Sequence, residues 1–502
     1  MMHEMSTKPR KQPACPPVTR FDLRLEADPR RVLARSYIPG GDGRVQAVAD
    51  RVMSLSDGQV NQLLAEVQTD FGDRHRDIGT VFARHFDTAR GQFHHDGEIA
   101  LPRRLLMGAY FTMEYSLESV ALFNPSIVPH PDQSGVGPYD LRFILSLRAC
   151  GEGHISSIEF RSGVIDGSGN VTLDPICPYV AMEKPVPDKL FEKHPFFLKL
   201  IEMGAYNAVA ESILRQMPER FTLDDLQRVV ETDRPPFPDP DNYHETADNV
   251  LWLARSNYYL SFPVDSDLSE RVIFPVSENE SRGIEDARFV RFVHEDGAVV
   301  YGATYTAYNG FRILPQLIET PDFRNFNVIT LNGRFAQNKG MAMFPRKVND
   351  EYYMISRIDG ECLYLMHSDN PHFWNDAQPL REPVYPWEYV QIGNCGSPIE
   401  TDQGWLLLTH GVGPVRRYGI GALLLDLDDP SRVIGHCAEP LLAPTERERD
   451  GYVPNVVYSC GAIVHRDELF VPYAMSDTAT GFAKVSLPDL LAYMRDCAES
   501  GR

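Results

Sequence analysis

Apolar residues recur in two different periods along this chain, and the changes of period divide it. Between Val45 and about Ala89 they fall at Val45, Val48, Val52 and Leu55, then at Val60, Leu63, Leu64 and Val67. That is the spacing of one buried helical face. Ser56 and Asp57 precede the second group and predict a helix cap. Leu105, Leu106, Ala109, Tyr110 and Met113 carry the helical pattern from Leu101 to Leu122. Ahead of these helices, Phe21-Asp-Leu-Arg-Leu25 alternates and predicts a short strand.

The period then drops to two. Arg142–Arg148 and His154–Phe160 predict strands separated by Gly151 and Gly153, and Asp166-Gly-Ser-Gly169 marks a turn. Helical spacing returns from about 186 to 248, at Phe191–Ala210 and at Leu223–Val230 after the capping candidate Thr222. A proline-rich stretch, Arg234-Pro-Pro-Phe-Pro-Asp-Pro, closes that segment. From Asn249 to Val485 the chain reads as runs of about five residues bounded by Gly, Asp, Asn or Pro, such as Tyr258–Phe262, Val299–Tyr305, Tyr352–Ile358, Trp405–Thr409, Ala422–Asp426 and Leu469–Pro472. Many short strands predict a sandwich, a barrel or a propeller. Pro488–Met494 resembles a short final helix. The expected layout is a disordered tail over 1–20, a mostly helical region over 21–120, a β domain over 121–490 interrupted by a helical insertion at 186–248, and a tail over 491–502.

Composition removes several functions. Of the 502 residues, 43% are hydrophobic and 24% charged, enough for a real core. The net charge of −21 opposes nucleic-acid binding and suits a neutral sugar. An anionic co-substrate would need a local cluster of cations. The N-terminal stretch lacks the apolar core of a signal peptide, and no run is long enough to span a membrane. The eight cysteines are scattered without CxxC pairs, and Cys150 and Cys460 read as buried thiols. A reducing, cytoplasmic location is expected.

The candidate chemistry centres on Gly283-Ile-Glu-Asp-Ala-Arg288, followed by the alternating Phe289-Val-Arg-Phe-Val293. Neighbouring residues on a strand face opposite ways, so only one of Glu285 and Asp286 is expected to face a given cleft. One carboxyl as general acid beside a structural partner fits this pattern, as does an acidic turn entering a strand. Glu152 and His154 have no further ligands at zinc spacing, which predicts a substrate contact and no metal site. Gly40-Gly-Asp-Gly43 lacks the Lys-Ser/Thr of a phosphate-cradling nucleotide loop.

Read together, the β runs resemble glycoside hydrolase family 130, the β-mannoside phosphorylases and β-1,2-mannosidases. Gly283–Arg288 resembles the family's G-[IV]-E-D-P-R, with Ala287 in place of Pro. Phe123-Asn-Pro-Ser126, Arg148 with Ser156-Ser-Ile158, and Thr304-Tyr-Thr-Ala-Tyr-Asn309 resemble other family segments. So do Asn338-Lys-Gly-Met-Ala-Met-Phe-Pro345, Gly396-Ser-Pro-Ile-Glu-Thr401, His410-Gly-Val412 and Tyr418–Pro430. Val453-Pro-Asn-Val-Val457 and Ser476-Asp-Thr478 close the series. The match covers roughly 120–180 and 249–490, and leaves the helical parts outside the family's compact form.

The resemblance implies a mainly β fold, a five-bladed β-propeller with an added α-helical N-terminal region and a helical insertion. It implies an inverting phosphorylase that cleaves β-mannosides, most simply β-1,2-linked manno-oligosaccharides, with inorganic phosphate to give α-mannose 1-phosphate. Asp286 would be the general acid, acting through a sugar hydroxyl. Arg357, His410 and Lys339 would bind phosphate, while Gln391 stands where the family's phosphorylases place a basic residue. Asn124, Arg148, Ser156, Tyr308, Asn309 and Asp477 would contact the sugar. No cofactor is implied beyond phosphate as co-substrate. An acid needs a raised pKa, so Asp286 should be screened from Arg288, which is expected on Glu285 or a loop carbonyl. The alternatives are a phosphate-independent β-mannosidase using Glu388 or Glu446 as base, and a non-catalytic glycan-binding propeller, which the presence of Asp286 opposes. Trp387 is a candidate for stacking on a sugar. The helical additions are expected to cap the cleft or to build a homo-oligomer.

Overall fold

In the computed structural model, residues 14–41, 43–183, 185–186, 189–232, 240–308 and 313–500 are described. The fold is mainly β, with five antiparallel sheets of four or five strands among these residues. The first sheet is built on Ala121–Pro129, Leu141–Cys150 and Ser156–Ile165, and the second on Ile284–Val293, Val299–Tyr308, Ile313–Thr320 and Asn325–Thr330. Lys339–Met343, Tyr352–Arg357, Leu363–Ser368 and Asp376–Arg381 form the third. Gln391–Asn394, Gly404–Val412, Tyr418–Leu425 and Val433–His436 form the path of the fourth. The fifth joins Glu468–Met475 and Ala479–Ser486 to the N-terminal strand Thr19–Leu25, with Thr19 opposite Lys484.

Alternation along the strands explains how the sheets are held. In the fourth sheet, Trp405 and Leu407 pack towards Phe344, Ile355 and Leu365 of the third. Leu406 and Leu408, one step on, pack towards Val457, Leu469 and Val471 of the fifth. Phe289 joins Val128, Ile144 and Phe160 of the first sheet, whereas Val290 joins Met341 and Met354 of the third. Phe470 and Phe482 of the fifth sheet share a cluster with Ile127, Phe143 and Leu145 of the first. Each sheet thus buries both faces, one against each neighbour, and the last packs on the first. Strands buried on both sides are apolar without a break, as Trp405-Leu-Leu-Leu408 is.

The helices follow the sequence with corrections at their ends. Arg44–Met53, Asp57–Phe71 and Ile78–Arg90 replace the long helical run, and Ser56 closes a capping box with Gln59. The next helix spans only Leu101–Tyr110, because Thr112–Ser116 pairs as a strand with Val32–Ser36 and Ala121–Pro129 enters the first sheet. In the insertion, Lys193–Glu202, Ala208–Gln216, Leu223–Glu231 and Pro240–Arg255 surround a core that includes Leu200, Ile213, Phe221 and Val250. The last of these helices runs seven residues past the expected boundary at 248. Thr222 caps its helix through a box with Asp225. The proline-rich 234–239 and the tail before residue 14 lie outside the described residues. The rest of the expected N-terminal tail is ordered: Cys15 and Val18 pack on the core between the fourth and fifth sheets. So is the expected C-terminal tail as far as residue 500, since the final helix spans Leu487–Ser500 and buries Leu490, Leu491 and Met494.

Candidate active site

The same irregularity recurs at an edge strand of three sheets. Register shifts fall between Phe123 and Ser126, between Glu285 and Arg288, and between Lys339 and Ala342. In or beside these bulges, Asn124, Asp286 and Asn338 adopt φ of 49°, 55° and 66°. A bulge re-aims side chains that regular pairing would send elsewhere, and bulges gather at active sites. These three bring the first, second and third sheets to one point: Asn124 Nδ2 donates to Asp286 Oδ1 at 2.6 Å, and Lys339 Nζ donates to Glu285 Oε2 at 2.5 Å.

The bulge overturns the expectation that Glu285 and Asp286 face apart. Arg148 reaches both, with Nη2 3.1 Å from Glu285 and Nη1 3.5 Å from Asp286. The turn into the bulge is clamped from outside. Ser156 is fully buried and its hydroxyl donates to the Ile284 carbonyl at 2.9 Å. Gly283, at φ 118°, lies so close that an added Cβ would be 2.4 Å from Ser156 Oγ. Ser156 therefore holds the signature strand in place and does not face a sugar, a correction to its expected role.

Arg288 is only partly where it was expected. Its Nη1 donates to the Asp286 main-chain carbonyl at 3.0 Å and its Nη2 to Tyr458 Oη at 2.5 Å. Yet Nη2 is also 3.9 Å from the Asp286 carboxylate, so the charge is not screened. Burial pushes the Asp286 carboxyl up, but Arg148, Arg288, the Asn124 amide and Lys339 together hold it below the ordinary aspartate value. The raised pKa expected of Asp286 is therefore not found. The carboxyl that is raised is its neighbour Asp477, pushed up to about 6 by burial and by the negative charge of Asp286. Asp477 stands at φ 51° in the turn Ser476-Asp477 between two strands of the fifth sheet.

A second group of side chains stands apart from these carboxylates. Arg357 pairs in register with Lys339, and its Nη1 lies 3.4 Å from His410 Nε2. His410 is 3% exposed and is held well below the ordinary imidazole range by burial and by the charges of Arg357 and Arg288, so its ring is neutral. Tyr418 stacks on that ring at 5.8 Å, and Tyr458 lies at 4.9 Å from it. Gly393 makes room for it: a Cβ there would be 2.4 Å from His410 Cε1. Arg148 and Lys339 hold carboxylates, but among the described residues Arg357 has no carboxylate partner and its buried Nε bonds to nothing. Asn124 Oδ1, Arg148 Nε, Arg288 Nε and Asn394 Oδ1 are likewise buried without partners. Unsatisfied buried polar atoms are rare and call for an explanation. Here they gather where a polar, partly anionic ligand would satisfy them.

Tyr308 flanks the same space, 5.9 Å from Lys339 Nζ to its ring centre, and Asn309 lies outside the described residues. Neither proposed hydrolytic base fits the site. Glu388 is buried and accepts the Val384 and Tyr385 N–H groups as a turn cap, and Glu446 is on an exposed loop. Trp387 packs against Gly411 and Gly421, where a Cβ would approach its ring to 2.5 and 2.6 Å. Sequence reasoning missed Tyr418 and Tyr458 as walls of the histidine pocket. Tyr418 opens the longest family-like segment, but nothing local marks Tyr458.

A family model described as beta-1,4-mannooligosaccharide phosphorylase matches residues 262–496. The chain is 35% identical over 231 residues to the 1,2-beta-oligomannan phosphorylase of Thermoanaerobacter sp. (strain X514), covering 44% of this chain and 75% of that protein. It is 31% identical over 255 residues to the beta-1,2-mannobiose phosphorylase of Listeria innocua, covering 49% and 69%. Among solved structures, the Listeria innocua beta-1,2-mannobiose phosphorylase is similar with a TM-score of 0.44 at 20% identity, over 76% of this chain and 93% of that one.

Proposed function

The chain belongs to glycoside hydrolase family 130, and we propose that it is an inverting phosphorylase acting on β-mannosides, with β-1,2-linked manno-oligosaccharides as the first substrates to test. The observation that carries this reading is the Arg357–His410 pair, a half-buried guanidinium with a buried, unpaired Nε and no carboxylate partner among the described residues, beside a neutral imidazole. Arginine with free N–H groups binds phosphate oxygens by charge-assisted bonds, and a neutral histidine beside it adds no second desolvated charge. A hydrolase needs no anion there, and it needs a carboxylate base that Glu388 and Glu446 do not supply.

In this reading a phosphate oxygen forms the new bond to C1 of the mannosyl unit as the glycosidic C1–O bond breaks from the opposite face. The leaving oxygen takes a proton that Asp286 passes through a sugar hydroxyl, and the product is α-mannose 1-phosphate. Arg148, Arg288 and Lys339 hold Asp286 low, so substrate must raise it. A bound phosphate adds negative charge nearby and a bound sugar displaces water, and both favour the protonated carboxyl. Asn124, Arg148, Tyr308 and Asp477 supply polar contacts for the mannosyl hydroxyls, and Lys339, shared with Glu285, lends charge to the phosphate side. The cyclic packing of five sheets, each buried on both faces, supports a five-bladed propeller with this site at its centre.

Incubating β-1,2-mannobiose with and without inorganic phosphate tests the function. Phosphate-dependent release of α-mannose 1-phosphate, lost in Asp286→Asn, is the expected result. Free mannose released at the same rate without phosphate would refute it.

A further inference from the structure

The loop that follows His410 is strained in a way the site described so far does not use. Between the strands Gly404–Val412 and Tyr418–Leu425, Val415 and Arg416 take consecutive left-handed conformations, with φ of 58° and 53°. A β-branched residue at positive φ is a true outlier, and such strain persists only where the surroundings enforce it. They do so here. Gly413 N–H donates to the Arg417 carbonyl at 3.0 Å, Arg417 N–H donates to the Pro414 carbonyl at 3.2 Å, and Arg417 Nη2 reaches the Pro444 carbonyl. Gly413 lies against the Trp387 main chain, where a Cβ would be 3.2 Å from Trp387 Cα.

The turn leaves Val415 87% exposed and presents the exposed Arg416 to the site. The Arg416 guanidinium lies 5.9 Å from the ring centre of Tyr418, the ring that stacks on His410. Its charge is also felt by Asp477. Among the described residues no carboxylate pairs with Arg416. Its loop begins directly after Val412, and Val412 is the register partner of Gln391, an uncharged residue on the neighbouring strand. On a chain of net charge −21, a guanidinium held unpaired at this price in backbone strain is placed for an anion.

We propose that Arg416 is a phosphate-binding residue, which meets the phosphoryl group of inorganic phosphate or of a sugar 1-phosphate at the outer side of the Arg357–His410 pocket. This rests on the phosphorylase reading and deepens it. One lost charge-assisted contact to phosphate corresponds to about tenfold or more in affinity. The test is initial-rate phosphorolysis of β-1,2-mannobiose by wild type, Arg416→Met and Arg416→Lys, varying phosphate and mannobiose separately. The expected result is a phosphate KM raised about tenfold in Arg416→Met and partly restored in Arg416→Lys, with the mannobiose KM changed less than about twofold. In the synthetic direction the KM for α-mannose 1-phosphate should rise in parallel. A phosphate-dependent wild type whose phosphate KM survives Arg416→Met overturns this inference alone, as does a rise confined to the mannobiose KM, which would make Arg416 a sugar contact. A wild type indifferent to phosphate overturns the phosphorylase reading and this inference with it.

Discussion

Asp477→Asn is expected to stabilise the protein at neutral pH while abolishing its use of mannosides. Burial and the charges of Asp286 and Glu285 raise the Asp477 carboxyl from 3.8 to about 6, against the pull of Arg148 and Arg416. A rise of about two units corresponds to about 3 kcal/mol of strain carried by the ionised form. The sign follows from proton counting. Between 3.8 and about 6 the folded protein keeps a proton that the unfolded chain has released. Stability is therefore lost as pH rises through that window, and the full cost applies above about pH 6. Asparagine tolerates the left-handed backbone at this position, so the substitution adds no strain there. Its amide still needs partners, which reduces the expected gain to about 1–2 kcal/mol. Thermal unfolding followed at about pH 7.5 and about pH 4 measures this. The variant should melt a few degrees higher at the first pH, by roughly 2–4 °C per kcal/mol, and level with wild type at the second. A variant that melts no higher at about pH 7.5, or that keeps the same advantage at both values, refutes the argument that Asp286 and burial strain Asp477. Loss of mannoside turnover by about a hundredfold or more, alongside the stabilisation, would mark Asp477 as a group kept for binding at a cost in stability.

Three further outcomes follow from the geometry. Arg357→Met should raise the phosphate KM by about 10- to 150-fold, the worth of one or two charge-assisted bonds, and an unchanged value would remove Arg357 from the anion site. Gly393→Ala should disable phosphate use with little loss of fold, because the new methyl must push the His410 ring aside; normal kinetics in a folded variant would show that the ring position does not matter. His436, whose Nε2 lies 2.6 Å from the Tyr385 hydroxyl, is lowered to about 4 by burial and by Arg381. The unfolded imidazole takes up a proton near 6.5, so stability should fall as pH drops from there towards about 4. His436→Gln should flatten that acid limb, and an unaltered pH profile of the melting temperature would contradict it.

The sheets were legible because both faces of each strand are apolar: Trp405-Leu-Leu-Leu408 can only lie between two packed layers. Helix starts were legible where a side chain performs the capping, at Ser56 and Thr222. The end of the helix at Tyr110 was not, because Met113 and Tyr115 continue an apolar spacing although they pair in a strand with Val32–Ser36. Family likeness picked out Asn124, Arg148, Asp286, Lys339, Arg357 and His410, which the fold brings together, but not their orientations. Strict alternation separates Glu285 from Asp286, and only the bulge at Asp286, which depends on Asn124, Ser156 and Arg148 from another sheet, brings both onto one arginine. The pKa order of Asp286 and Asp477 was hidden for the same reason. It is set by residues far apart in sequence, and a carboxyl's chain neighbours say little about the charges that surround it in the fold.

The pairing of Thr19–Leu25 with Ala479–Ser486 has a consequence for how the molecule is made. Arg20 bonds to Glu448 across 428 residues of chain, and Thr19–Leu25 has no strand to pair with until Ala479–Ser486 is made. On a ribosome adding about 5–20 residues per second, the N-terminal strand waits roughly 20–90 s for its partner. During that interval Phe21, Leu23 and Leu25 lack Phe470 and Phe482, the fifth-sheet half of the cluster they share with the first sheet. A strand this short, bearing Arg20, Asp22 and Arg24 between its apolar residues, is poorly suited to aggregate while it waits.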